Sequence, residues 1–262
     1  MKMVAAAKLR RSQERMEQAR PYEDRLEEVI KSLLPNIDRS LLPLLEIREV
    51  SRVAFLVVTS DRGLAGSFNH NIIRLVEQES TNLGRENVDL FCIGRKGRDY
   101  FNKRDYNIIE SHAEFWNDLN FNHAIKFGHG IIRHFTGKHV DEIRVVYDWF
   151  KNVATQETRV ENLLPLKYEN DESSASEKLY EPSEEAIVRS LIPRHLNIQM
   201  WKYLLESYAS EQAARMVAMD NATENAGELI HDLTLEFNKA RQAAITKEVL
   251  EIVSGAEALA NA

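Results

Sequence analysis

The sequence predicts an α/β protein with long helices, in which two heptad-patterned helices, one at each end of the chain, flank a three-layer domain built on a parallel sheet. Three observations predict it. The last quarter, Arg194 to Leu259, contains no proline and is rich in Ala, Leu, Glu, Lys, Met and Gln, all strong helix formers, with only Gly227 and Gly255 interrupting. Residues 1 to 34 carry a second helical spacing. Between the two, continuous β-branched runs alternate with helical spacings, the pattern of strands joined by crossover helices.

In chain order, Ala5, Leu9, Ser12, Met16, Ala19, Glu23, Leu26, Ile30 and Leu33 step by four and three, the seam of a coiled coil, with Pro21 as an expected kink or local break. The first twenty residues hold Lys2, Lys8, Arg10, Arg11, Arg15 and Arg20 against Glu14 and Glu17. Such a surface is either a solvated face or a surface for an acidic partner. Val53 to Thr59 (VAFLVVT) reads as a buried parallel strand, and Phe68 to Leu83 as the helix after it. Val88 to Ile93 is the next strand, 95 to 104 a short helix, 106 to 110 an edge strand and 118 to 136 another helix. Asp141 to Phe150 and Thr158 to Tyr168 supply two further strands. Glu169 to Lys178 (ENDESSASEK) is polar, acidic and Ser-rich, a loop or disordered insert. The organisation is therefore residues 1–50 as helix and connection, 51–168 as the α/β domain, 169–193 as an acidic linker, and 194–262 as the long helix.

At 1.5 Å per residue that last helix would be roughly 100 Å long, more than a compact domain of this size spans. Along it Met216, Met219, Thr223, Ala226, Ile230, Leu233, Phe237, Ala240 and Ala244 form a seam that calls for a partner helix. Beyond the seam, Ile245, Val249, Leu250, Ile252, Val253 and Leu259 spread around the cylinder. A helix apolar on most sides is buried on most sides, so other chains are expected to surround the tip.

Composition narrows the function classes. With 262 residues and 44% hydrophobic content the chain can bury a core. A net charge of -7 argues against nucleic acid as main partner. No apolar run approaches the roughly eighteen residues of a membrane span, and Met1 to Arg11 has no signal-peptide core, as expected for a chain made in the cytosol. The single cysteine, Cys92, lies in a strand-like run and reads as a buried, inert thiol.

Chemistry is sparse. The loop Thr59 to Asn69 (TSDRGLAGSFN) lies at the carboxyl end of a buried strand, where α/β proteins bind phosphates, yet it matches neither the dinucleotide nor the P-loop glycine spacing. His123, His129, His134 and His139 are spaced by six, five and five, which does not set neighbours on one helix face as a metal pair needs. No catalytic, cofactor-binding or metal residue stands out.

Three stretches carry a resemblance: Met3 to Gln13 (MVAAAKLRRSQ), Thr59 to Asn69, and Ala209 to Leu259, with its runs ARMVAM and NKARQAAIT followed by EIVSGA. They resemble the gamma subunits of F-type ATP synthases, of the bacterial type, over nearly the whole chain. The resemblance implies an antiparallel coiled coil of the N- and C-terminal helices beside the α/β domain. It implies a non-catalytic central-stalk rotor subunit of a proton-transporting complex, carrying torque between the membrane c-subunit ring and the catalytic beta subunits. The implied partners are the hexamer of alpha and beta subunits, the epsilon subunit and the c-ring. The implied location is the cytoplasmic face of the bacterial inner membrane, peripherally, with no cofactor.

By the same resemblance, Arg241 and Gln242 match a pair that hydrogen-bonds an acidic loop of beta, and Met1, Lys2 and Lys8 match positions near acidic levers of beta. Arg215, Thr246 and Glu251 match coupling positions along the shaft. Tyr180, Glu181 and Pro182 match the foot that meets the c-ring and epsilon. Family members begin with about twenty more residues, roughly 30 Å of helix, so a true start upstream of Met1 is expected. With Met1 beside Met216, the seam of residues 217 to 262 would find no partner in this chain. A different class of reading is a nucleotide-binding α/β enzyme that uses Thr59 to Asn69 and dimerises through its helical arms. A third is a free-standing coiled-coil scaffold.

Overall fold

A computed structural model of the chain describes residues 1–38, 42–168, 181 and 183–260. The expected acidic insert, Glu169 to Lys178, lies outside the described residues. Two units are present, residues 1–218 and residues 219–260.

In the first unit, α1 (Lys2–Leu33) runs unbroken through Pro21, so the expected break does not occur. Its seam explains why. Ala5, Leu9, Ser12, Glu23, Leu26, Ile30 and Leu33 are buried, and packing of that stripe outweighs the backbone hydrogen bond that proline cannot donate.

β1 (Val53–Val58) is buried at all six positions because it lies at the centre of the sheet, with β2 (Val88–Ile93) and β4 (Glu142–Phe150) parallel on its two sides. β3 (Asn107–His112) closes one edge, parallel to β2, and β5 (Gln156–Leu164) closes the other. β5 is antiparallel to β4, so the sheet is parallel in its other three pairings, in keeping with the expected parallel-sheet domain. Only a short connection separates Phe150 from Gln156, too short for the crossover that a parallel pair needs.

Alternation along β1 divides the core. Val53, Phe55 and Val57 pack under Ile72 and Val76 of α2 (Phe68–Leu83) and Phe101 of α3 (Arg95–Asn102). Ala54, Leu56 and Val58 face the layer formed by α4 (Phe121–Thr136), α1 and α5 (Glu184–Ala260), with Phe127, Ile131, Leu33, Leu196 and Leu204. Three layers result, and each fully buried large side chain contributes about 1.5–3 kcal/mol.

α5 begins at Glu184, not at Arg194, so Pro193 lies inside it. Proline is a poor residue for a helix interior, and its position made Arg194 look like a start. Val188, Ile192 and Leu196 are buried on the face that meets the core, and that burial carries the helix across Pro193. In the second unit the same helix continues to Ala260. Among the described residues no helix is long and apolar enough to cross a membrane.

Candidate functional site

The helix start and α5 meet in an antiparallel pair. The Ser12 hydroxyl donates to the Leu205 carbonyl at 3.0 Å, the Lys202 ammonium donates to Glu23 at 3.0 Å, and Leu9 packs with Ala209 and Ala213. As the number rises along α1 it falls along α5, and Met1 reaches the level of Arg215. The two line one cleft of about 410 Å³ together with Lys8, Asp61, Trp116 and Tyr208. The Lys8 ammonium donates to the Asn117 side chain at 3.2 Å. Arg215 is ion-paired to Glu211 at 2.6 Å and donates to the Gly63 carbonyl at 3.2 Å. Burial raises the Glu211 carboxyl above the ordinary range, and the Arg215 guanidinium opposes that rise. Met1 and Lys2 are exposed on the first turn. Met1 and Lys8 thus form one surface with Arg215, which is far from them in sequence.

Two serines of α5 tie it to the sheet. Ser207 donates to the carbonyl of Val58 at 3.4 Å and Ser210 to that of Asp148 at 3.0 Å. These carbonyls lie at the carboxyl ends of β1 and β4, where doubly wound folds bind their ligands, and here α5 covers that edge.

The loop Thr59 to Asn69 is bound by its own chain. Asp61 accepts from the amides of Arg95 at 2.8 Å and Glu114 at 2.7 Å, and Thr59 Oγ1 accepts from the Gly97 amide at 2.9 Å. The first amides of α3, which would otherwise face an anion, are thereby satisfied. Gly94 is required by the close approach: at φ +93° a Cβ there would stand 2.0 Å from the Thr59 carbonyl oxygen. Cys92 is buried, and burial pushes its thiol up to about 12, far from the thiolate that a nucleophile needs. Among the described residues no group of His, Cys, Asp and Glu could hold a metal ion. His123 instead caps α4, its ring tilted against that of Phe115.

The second unit is a helix whose residues from Asp220 to Ala256 are exposed except for the half-buried Asn238. Ile230, Leu233 and Phe237 of the expected seam are 66%, 55% and 66% exposed, and Ile245, Val249, Leu250, Ile252 and Val253 are exposed beyond them. An apolar stripe of this length in water marks an interaction surface. Arg241 and Gln242 lie exposed on it, and Arg241 has no hydrogen-bond or ion-pair partner among the described residues. Thr246 donates back to the Gln242 carbonyl at 2.8 Å, and Glu251 lies 3.8 Å from Lys247. Glu181 is exposed, whereas Tyr180 and Pro182, and the side chain of Leu259, lie outside the described residues.

Sequence spacing did not single out Glu206, Ser207 or Ser210, buried polar residues of α5 that meet the sheet. The available signal was polar residues on an apolar line: Ser12 and Glu23 stand on the α1 seam and bond to α5.

A family model described as ATP synthase matches residues 1–259. The chain is 46% identical over 277 residues to the ATP synthase gamma chain of Chloroherpeton thalassium, covering 99% of this chain and 91% of that one. To the ATP synthase gamma chain of Chlorobaculum parvum it is 48% identical over 267 residues, with the same coverage. Among solved structures it is similar to a chain of the central stalk and c-ring of the mitochondrial ATP synthase of Tetrahymena thermophila. That match has a TM-score of 0.67 and 26% identity, over 85% of this chain and 97% of that one. A chain of the Euglena gracilis mitochondrial ATP synthase shares the fold, with a TM-score of 0.63 and 21% identity, over 97% and 95%.

Proposed function

Since the chain belongs to the ATP synthase gamma-chain family, we propose that it is the central-stalk rotor subunit, carrying torque between the membrane c-ring and the catalytic beta subunits. It is a component of ATP synthase. Its partners are the alpha and beta hexamer, epsilon and the c-ring, and it works peripherally on the cytoplasmic face of the inner membrane of a bacterium, in a proton-driven complex. Catalysis resides in beta; this chain binds no cofactor and contributes asymmetry.

The observation that carries this reading is the apolar stripe from Ile230 to Val253, exposed along a helix and suited to burial against a partner. Arg241 and Gln242 stand on that helix as contacts for an acidic loop of beta, where a guanidinium can engage a carboxylate with two parallel bonds. Met1, Lys2 and Lys8 serve a second beta contact. Arg215, Thr246 and Glu251 act in coupling along the shaft, and Tyr180, Glu181 and Pro182 in the foot.

A cysteine at position 242 tests the assignment. Oxidation should crosslink it to a cysteine in the beta loop and stop ATP turnover, and reduction should restore it. Full turnover in the crosslinked complex would remove the rotor assignment. Binding of labelled ATP to the isolated chain addresses the enzyme reading, since a tight site on this chain would favour that reading.

A further inference from the structure

We propose that Glu206 is a protonatable latch at the junction of α1, α5 and the sheet, holding a proton while the junction is closed and releasing it, with loosening of the junction, as the medium turns alkaline. Three carboxylates converge there from three elements: Glu23 of α1, Glu161 of β5 and Glu206 of α5. Around them are Lys202 and Tyr203 from α5 itself and Tyr147 from β4. These are the titratable groups that face Glu206 from each element packed against it.

Their donors are unevenly shared. The Lys202 ammonium donates to Glu23 Oε1 at 3.0 Å. Both phenols donate to Glu161, Tyr147 to Oε1 at 2.7 Å and Tyr203 to Oε2 at 3.0 Å, and the Tyr147 hydroxyl is shared with Glu206. Glu206 Oε2 is buried with no hydrogen-bond partner. If all three carboxylates were ionised, the junction would hold three negative charges against one positive charge, with Glu206 Oε2 left without a donor. An ionised carboxylate with one oxygen left without a donor in a buried site is costly, whereas a protonated one is neutral and adds the O–H donor that the cluster lacks.

The energetics agree in direction. Burial is the largest influence on the Glu206 carboxyl, with Lys202 and the Tyr147 hydroxyl opposing it and Glu161 and Glu23 adding to it, and the net effect pushes it up to about 7. Burial also acts to lower the Lys202 ammonium, but Glu23 and the other carboxylates hold it above its ordinary value, so it stays charged. The step is a simple dissociation: the Glu206 carboxyl gives its proton to water and leaves a carboxylate.

The sign follows from linkage. Unfolded, Glu206 ionises near its ordinary value of 4.5; folded, it keeps its proton to about 7. The junction therefore loses stability as pH rises between those values and stays weaker above them. In a rotor this junction fixes the α/β domain to both helices, so its proton occupancy would set torsional stiffness. That consequence rests on the rotor reading, whereas the titration is read on the chain alone.

The test is thermal unfolding of the full chain and of Glu206→Gln at pH 5.5 and pH 8.5. Glu206→Gln keeps the shape and removes the ionisation. The expected result is a Tm for the variant at least about 3 °C above the parent at pH 8.5, with that advantage shrinking at pH 5.5. Glu161→Gln removes a neighbouring negative charge and should shrink the pH-dependent Tm loss and end it at lower pH than in the parent, because Glu206 then ionises closer to its ordinary value. An equal Tm change with pH in parent and Glu206→Gln would overturn the proposal, as would a Glu206→Gln chain that fails to fold at pH 8.5.

Discussion

The Ser12 hydroxyl donates to the Leu205 carbonyl at 3.0 Å, joining two helices through residues 193 positions apart in sequence. Ser12 is 2% exposed, so there is room for a hydroxyl and little more. Ser12→Ala should cost about 0.5–1.5 kcal/mol, the net worth of a hydrogen bond, and Ser12→Leu about 1–3 kcal/mol through overpacking. Urea unfolding of the isolated chain measures both; a Leu variant as stable as the parent would contradict the close approach of α1 and α5.

Arg215 and Glu211 make an ion pair at 2.6 Å with both side chains largely shielded from water. Arg215→Ala should destabilise the chain by about 3–5 kcal/mol, because a buried carboxylate loses its counter-charge. The double variant with Glu211→Gln should recover much of that. By contrast, Arg10 and Glu14 form an exposed surface pair, and Arg10→Ala should leave the unfolding midpoint unchanged.

Two glycines predict opposite signs. Gly94→Ala puts a methyl group 2.0 Å from the Thr59 carbonyl oxygen at a φ of +93°, and should cost at least about 2 kcal/mol. Gly227 has nothing within 4 Å, and Gly227→Ala should raise the helicity of the chain by the usual preference of about 0.5–1 kcal/mol. Circular dichroism and thermal melts of both variants check the pair.

His195 sets an acid limit. It is buried beside Tyr168, and burial pushes its imidazole down to about 4. The unfolded chain protonates it near 6.5, so its contribution is intact above that value and is lost as pH falls towards 4, by up to about 3 kcal/mol. His195→Gln should flatten the stability profile between pH 6.5 and 4. An unchanged acid limb would show that other groups control it.

The fold could be read from period and run length. The β1 run has six consecutive apolar residues because both faces of a central strand are covered, and every position of the α1 seam is buried or half-buried. What stayed hidden was set by tertiary contact. Pro193 looked like a boundary because local propensity says nothing about Val188 and Ile192 finding a core. Glu23, Glu161 and Glu206 are ordinary charged residues until the fold brings them around Lys202. The surface joining Met1, Lys8 and Arg215 required the antiparallel pairing, which the family resemblance supplied and the spacing alone did not.

The most direct test of the account is the reactivity of a Phe237→Cys thiol in the isolated chain and in the complex assembled with alpha and beta. Phe237 is 66% exposed, and Cys92, buried with its thiol pushed up to about 12, gives little background. Rapid alkylation of the free chain and strong protection after assembly are expected. A thiol already protected in the free chain, or one that reacts equally fast in the complex, would contradict a helix that other subunits enclose.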